Sequence, residues 1–157
     1  MNKLYFLLII LLVGCSTLSY QDRVRSWDSH EDVARWMQTN FRWDKGFSKR
    51  TPKEVYKYRS GDCLDGTNFA VATLNLINPQ YHARPVYITN ALGPPHHWVA
   101  AFDYNGKLYI MDYSQGYLWA AMRGTHGPYN SLIEYRKFLD TLPIPKFRVA
   151  AMLDYRH

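Results

Sequence analysis

The stretch HWVAAFDYNGKLYIMD, residues 97–112, decides the fold because it contains the clearest turn signal in the chain. Asn105-Gly106 lies between two runs rich in apolar and aromatic residues, His97–Tyr104 and Lys107–Tyr113. Asn-Gly is a preferred pair for a two-residue β-hairpin turn. The stretch therefore predicts two adjacent antiparallel strands.

The register of this hairpin brings two polar residues to one face of the sheet. With a two-residue turn, His97 opposes Ser114, and Asp112 lies two residues away on the same face. Diagonal neighbours of this kind are about 7–8 Å apart at the backbone, within reach of an imidazole and a carboxylate. His96 projects to the opposite face. A bulge in either strand would exchange the two histidines, so His96 stays an alternative.

Upstream of the hairpin the sequence shows helical spacing and helix-start signals. It predicts an amphipathic helix after Ser29, a short helix beginning at Thr51-Pro52, and a long helix from Cys63 to Ile77. Asp62 is placed to cap the long helix, and Asn78-Pro79 ends it.

Downstream of the long helix the spacing of the apolar residues changes from that of helices to that of strands. Residues 85–89 and 147–154 are predicted strands, 131–139 a helix and 123–130 a loop. Neither a repeat nor a second-domain boundary is visible in the sequence. The order of elements predicts an α+β domain with N-terminal helices packed on an antiparallel sheet.

The N-terminus has the pattern of a signal peptide. Lys3 supplies a positive start, and the apolar run from Leu4 to Val13 is too short for a membrane span, which needs about 20 residues. An ordinary cleaved signal and an uncleaved anchor helix are the alternatives. Leu12-Val13-Gly14-Cys15 resembles the lipobox of bacterial lipoproteins, in which the cysteine is lipidated and becomes the new N-terminus.

The lipobox resemblance implies three parts for the chain and a location. Residues 1–14 are expected to be the signal peptide, 15–25 a tether from the lipidated Cys15, and 26–157 the folded domain. The protein is then expected in the bacterial cell envelope, attached to a membrane by lipid. Ser16 in place of an aspartate favours the outer membrane in a Gram-negative cell.

Composition limits the partners. The formal charge of +6 suits an anionic envelope surface, and nucleic acid is not an expected partner for an exported protein. Aromatic residues are abundant, with 13 Tyr, 7 Phe and 5 Trp, which indicates a folded domain and not a disordered chain.

The two cysteines have different expected fates. If Cys15 carries lipid, Cys63 has no partner for an internal disulfide, so it is either a buried, inert thiol or a reactive one. A cysteine nucleophile needs a stabilised thiolate, a base within hydrogen-bond reach and a group that orients the base. The start of a helix helps with the first need, because its free N–H groups favour negative charge.

Three segments together carry a resemblance to a known family. Gly61-Asp62-Cys63 at a helix start, His97-Trp98-Val99, and NGKLYIMD at residues 105–112 resemble the bacterial transglutaminase-like cysteine proteins of the papain-like superfamily. The lead-in TPKEVYKYRSGDC, residues 51–63, is also similar to that family.

This resemblance implies a papain-like, transglutaminase-like core and a triad. Cys63 is then the nucleophile, His97 the general base and Asp112 the residue that orients the imidazole. The Cys63 backbone N–H is an expected oxyanion donor. Many members have His-x-Trp at the second motif, which would align His96 instead; counting back from the turn favours His97.

The expected chemistry is attack on an amide bond through a thioester acyl-enzyme, giving hydrolysis, deamidation or transamidation without a cofactor. Expected substrates are peptides or proteins of the envelope, including peptidoglycan stems, with Trp98 contributing to substrate binding. The oligomeric state stays open. One alternative is a peptide- or glycan-binding module without turnover. A zinc site using Cys63 is disfavoured, because no His-Glu-x-x-His or paired-cysteine spacing is present.

Overall fold

A computed structural model describes residues 18–46 and 49–155. The predicted signal peptide and the predicted lipidation site, Cys15, lie outside the described residues. None of the helices in the described ranges is long and apolar enough to cross a membrane. The elements in chain order are α1 (Tyr20–Arg25), α2 (His30–Asn40), β1 (Arg42–Trp43), α3 (Pro52–Tyr58), β2 (Ser60–Gly61), α4 (Cys63–Ile77), β3 (Arg84–Asn90), β4 (His97–Tyr104), β5 (Lys107–Asp112), β6 (Gly124–Tyr129), α5 (Leu132–Thr141) and β7 (Val149–Asp154), with 3₁₀ turns at Pro79–Tyr81 and Tyr117–Met122.

The main sheet is antiparallel and has the strand order β6-β5-β4-β3-β7. In the β4–β5 hairpin, pairing runs without a shift from Tyr104 opposite Lys107 to Ala100 opposite Met111. The predicted two-residue turn and its register are therefore confirmed. Strands β1 and β2 form a separate two-stranded parallel ribbon.

Alternating side chains of the sheet enter two different cores. Ala100 and Phe102 of β4 join the core that contains Phe69 and Leu74 of α4. Val99 and Ala101, which alternate with them along the strand, join the second core, together with α5 and β7 side chains. Both faces are covered by apolar packing, and the α+β prediction is confirmed.

The long helix α4 has the bounds that its sequence predicts. The Asp65 N–H donates to Asp62 Oδ1 at 2.9 Å, and the Asp62 N–H donates to Asp65 Oδ2 at 3.3 Å. This reciprocal capping box fixes the first turn, so Cys63 is the first residue of the helix.

Two predictions differ from the structure. Residues 20–25, predicted as part of the tether, form the helix α1, because Tyr20 and Val24 are buried in the core beside α4. Residues 123–130, predicted as a loop, contain the edge strand β6. An edge strand accommodates Pro128 and the left-handed Gly127 (φ 138°), which are the residues that indicated a loop.

Candidate active site

His97 and Asp112 form a buried hydrogen-bonded pair at one end of the sheet. His97 is the first residue of β4 and Asp112 the last residue of β5, and their relative exposures are 1% and 0%. The distance between His97 Nε2 and Asp112 Oδ2 is 2.8 Å. A carboxylate at this distance fixes both the orientation of the imidazole and the nitrogen that carries a proton.

Cys63 completes the cluster from the start of α4. Its side chain lies close enough to the His97 imidazole to raise the pKa of that ring. Since Nε2 is engaged by Asp112, the thiol faces Nδ1. Cys63 is half-buried and has no disulfide, whereas the other two side chains are sealed from solvent. The structure thus brings together the three residues that the sequence singles out, and Cys63 is the only one of the three that is partly exposed.

The electrostatics favour a charged imidazole. Burial by itself lowers the pKa of His97, but the Asp112 carboxylate, through its charge and its hydrogen bond, and then the Cys63 side chain outweigh that effect and raise it to about 10. His97 is therefore an imidazolium at neutral pH.

A close contact between α4 and the end of β5 sets the position of the sulfur. The Ser114 hydroxyl donates to the Cys63 carbonyl at 3.2 Å. Gly66, one turn along α4, allows this approach, since a Cβ on Gly66 would collide with Ser114 Cβ and lie 3.0 Å from its Oγ. Ser114 and Gly66 are positioning residues that the sequence does not single out, although the predicted register places Ser114 opposite His97.

The turn before Cys63 is held by a buried carboxylate. Asp65 is 2% exposed, and its Oδ1 accepts a hydrogen bond from the Arg50 N–H at 2.8 Å. A Cβ on Gly61 would lie 2.6 Å from Asp65 Cβ, so the turn can pass this carboxylate only with glycine at position 61. In the Gly-Asp-Cys motif, glycine is therefore required by local packing, independently of any chemistry at Cys63.

The first amide groups of α4 belong to the turn that carries Cys63. The Gly66 N–H donates to the Asp62 carbonyl and the Asp65 N–H to the Asp62 side chain. Within the described part of the chain, the Cys63 and Leu64 N–H groups have no such partner. Free N–H groups at a helix start attract negative charge, so they favour an oxyanion beside the sulfur.

His96 and Trp98 lie elsewhere in the sheet. His96 Nδ1 accepts a hydrogen bond from the Asn90 N–H at 3.0 Å, so its ring is not directed at Asp112. Trp98 is half-buried, and its ring packs at a tilt against those of Tyr87 and Tyr155, with 4.6 Å and 5.5 Å between centroids. As the neighbour of His97 along the strand, Trp98 projects to the other face of the sheet.

One further aromatic residue contacts the cluster. The Trp119 ring meets the His97 ring edge-on, with 5.4 Å between centroids, and Trp119 is 8% exposed. It covers the imidazole from the 3₁₀ turn, a segment for which the sequence has no clear periodic signal. Among the described residues, no three His, Cys, Asp or Glu side chains are grouped as they would be to hold a metal ion.

A family model described as a transglutaminase-like domain matches residues 16–120, about two thirds of the chain. The chain belongs to the transglutaminase-like domain family. Comparison with curated proteins finds no match. The span that matches the transglutaminase-like model includes α1 and runs through Cys63, His97 and Asp112 to the 3₁₀ turn that carries Trp119.

In chemical terms, the cluster holds a half-buried thiol beside an imidazolium, with a buried carboxylate behind it. The sulfur can act as a nucleophile, the imidazolium can deliver a proton to a leaving group, and the helix start can stabilise an oxyanion. These are the three requirements of acyl transfer.

Proposed function

We propose that this protein is a cysteine-dependent amide hydrolase or acyltransferase of the cell envelope, with Cys63 as nucleophile, His97 as acid and base, and Asp112 as the orienting carboxylate. The observation that supports this most directly is the buried His97–Asp112 contact of 2.8 Å behind a half-exposed thiol. A structural histidine does not need a free thiol beside it, whereas the general base of a cysteine nucleophile does.

In the first step the Cys63 sulfur attacks the carbonyl carbon of an amide, and the carbonyl π electrons move onto oxygen. The oxyanion lies at the start of α4, where the Cys63 N–H donates to it. The oxyanion electrons then re-form the C=O bond as the C–N bond breaks; the nitrogen takes the proton from His97 Nδ1, and the amine leaves neutral. The product is a thioester on Cys63 and a neutral imidazole on His97.

In the second step His97 acts as a base. It takes a proton from the incoming water or amine, which attacks the thioester carbonyl, and the C–S bond breaks to restore the thiolate and the imidazolium. Water yields an acid, by hydrolysis of a peptide bond or deamidation of a side-chain amide; an amine yields a new amide. Asp112 keeps Nε2 protonated throughout, which holds Nδ1 toward the sulfur.

The location is proposed from the N-terminal sequence. A lipid on Cys15 would hold the domain at a membrane of the envelope, the outer membrane in a Gram-negative cell. Peptides and exported proteins, including the stem peptides of peptidoglycan, are the amides within reach there. Among the three outcomes, hydrolysis is favoured, because water is the most abundant acceptor.

Trapping the acyl-enzyme tests the proposed chemistry. The full chain is incubated with peptidoglycan stem peptides and with glutamine-containing peptides, then analysed by peptide-mapping mass spectrometry of Cys63. Addition of hydroxylamine should convert the trapped thioester into a peptide hydroxamate. We expect an acyl adduct on Cys63 of the wild-type protein and none on the Cys63→Ser variant.

Two controls separate catalysis from binding. His96→Ala should keep the adduct, because His96 is engaged by Asn90, whereas His97→Ala should lose it. A folded wild-type protein that binds these peptides without any adduct or hydroxamate would favour the non-catalytic binding module instead.

A further inference from the structure

A groove of about 750 Å³ lies on the helical side of the domain, between α1, α2 and α3. Its lining includes aromatic side chains that contact one another. The Trp36 and Tyr56 rings stack with 5.3 Å between centroids, and Trp27 lies 6.3 Å from Trp36. Cys63, His97 and Asp112 are not among the lining residues, so this groove is separate from the candidate active site.

The rim of the groove is strongly basic. Five cationic side chains line it, and Asp32 is the one carboxylate among the lining residues, so the groove carries a formal excess of four positive charges. The entire sequence carries +6. Asp32 is engaged by Arg35 at 3.0 Å. The other four cationic side chains of the groove form no ion pair among the described residues; they are Arg23, Lys53, Lys57 and Arg59.

The groove also lies where the described chain begins. Leu18 is part of its lining, and the Tyr56 hydroxyl donates to the Leu18 carbonyl at 3.2 Å. Three residues of chain, even fully extended, span about 10 Å. A lipid on Cys15 would therefore hold this groove, and not the opposite side of the domain, against the membrane surface.

We propose that this groove docks on the headgroups of anionic phospholipids in the membrane to which the protein is attached. Aromatic rings with polar edges and basic side chains with apolar stems are the residues that prefer the membrane–water interface. Lysine and arginine side chains near an anionic membrane surface are attracted to it. The docking rests on the membrane attachment in the proposed function but is independent of the chemistry at Cys63.

The consequence for the site is a fixed orientation. A domain held only by a flexible lipid tether would rotate freely, whereas a docked one presents a constant side to the membrane. Cys63 lies outside the groove, so its thiol stays accessible while the groove is occupied. Docking would then select substrates at a set distance from the bilayer.

The test uses the full chain reconstituted in vesicles, with Trp27 as reporter. Vesicles contain phosphatidylcholine brominated near the headgroup, with or without phosphatidylglycerol, and the Trp27 signal is the fluorescence difference between wild type and Trp27→Phe. Flotation of the vesicles reports attachment separately. We expect quenching of Trp27 by the vesicles that contain phosphatidylglycerol. The quenching should be at least twofold weaker with vesicles that lack phosphatidylglycerol. It should be weaker by the same factor at 1 M salt, where the screening length is about 3 Å.

Charge reversal gives the matched comparison. Lys53→Glu/Lys57→Glu/Arg59→Glu should abolish the quenching while flotation persists. Lys137→Glu/Lys146→Glu/Arg148→Glu, which reverses three exposed cations outside the groove, should leave it unchanged. Circular dichroism confirms that both variants are folded.

Several results would overturn the inference. Attached protein that shows equal quenching with and without phosphatidylglycerol, or none, would exclude docking on anionic headgroups while leaving attachment intact. Wild-type protein that does not float would refute both attachment and docking. Soluble cell-wall polysaccharide that binds the groove through the same three cations, with no dependence on the lipid, would assign the groove to a glycan. None of these results bears on acyl transfer at Cys63.

Discussion

Gly66 and Ser114 are packed so closely that a side chain on Gly66 would overlap Ser114 Cβ. The contact joins the first turns of α4, which carry Cys63, to the segment directly after Asp112. The Ser114 hydroxyl reinforces it by donating to the Cys63 carbonyl. The separation between the sulfur and the His97–Asp112 pair is therefore set by backbone packing and not by flexible side chains.

Gly66→Ala should damage this arrangement. Alanine in a helix interior normally stabilises a protein relative to glycine by about 0.5–1 kcal/mol. Here overpacking should reverse the sign and lower the free energy of unfolding by ~1–3 kcal/mol, measured by urea denaturation. Alkylation of Cys63 in the folded variant should also slow.

Gly46→Ala is the control for that substitution, because the nearest atom to its added Cβ is Asp44 Oδ1, at 3.5 Å. It should change neither stability nor alkylation. If Gly66→Ala behaves in the same way, the contact with Ser114 does not position Cys63.

Asp112→Asn should lower the pKa of His97. The carboxylate charge is the main influence that holds this pKa above its ordinary value, and an amide of the same shape removes the charge. The His97 pKa, followed by NMR of the imidazole, should fall from about 10, and Cys63 alkylation at neutral pH should slow.

Asp103→Asn is a matched control, because Asp103 lies 3.7 Å from a different histidine, His82. It should leave the His97 titration unchanged. An unchanged His97 pKa in Asp112→Asn would show that the buried pair does not charge the imidazole.

The raised pKa of His97 also predicts a pH dependence of stability. The folded protein retains this proton up to about pH 10, whereas the unfolded chain releases it near 6.5. The contribution of His97 protonation to the free energy of unfolding is therefore complete below pH 6.5. It declines by about 1 kcal/mol per pH unit as the pH rises toward 10.

Urea denaturation at pH 7, 8 and 9 measures this slope, in a Cys63→Ser background that removes thiol titration. Adding His97→Gln, which keeps a hydrogen-bond donor but does not titrate, should flatten the curve. Parallel curves for the two proteins would mean that His97 is not protonated in the folded state.

The sequence predicted the parts of the fold with strong local signals. Asn105-Gly106 fixes the hairpin, and through its register the meeting of His97 with Asp112. Asp62 and Asn78 bound α4 at the predicted residues, because a side-chain cap acts locally.

Elements that depend on tertiary contacts could not be predicted in this way. Strand β6 contains Gly124, Gly127 and Pro128, which indicate a loop until β5 is present to pair with. Helix α1 is six residues long, too short to be stable alone, and forms because Tyr20 and Val24 are buried. For the same reason Trp119, which covers His97, and the Gly66–Ser114 contact became visible only in three dimensions.

The central claim, that His97 activates Cys63, is tested most directly by the rate of Cys63 alkylation with iodoacetamide in the folded protein at neutral pH. Peptide mapping assigns the modified residue. We predict that wild type and His96→Ala react at similar rates and that His97→Ala reacts ~10-fold or more slowly. Equal rates in His97→Ala and wild type, or a Cys63 that reacts only in denaturant, would contradict the account.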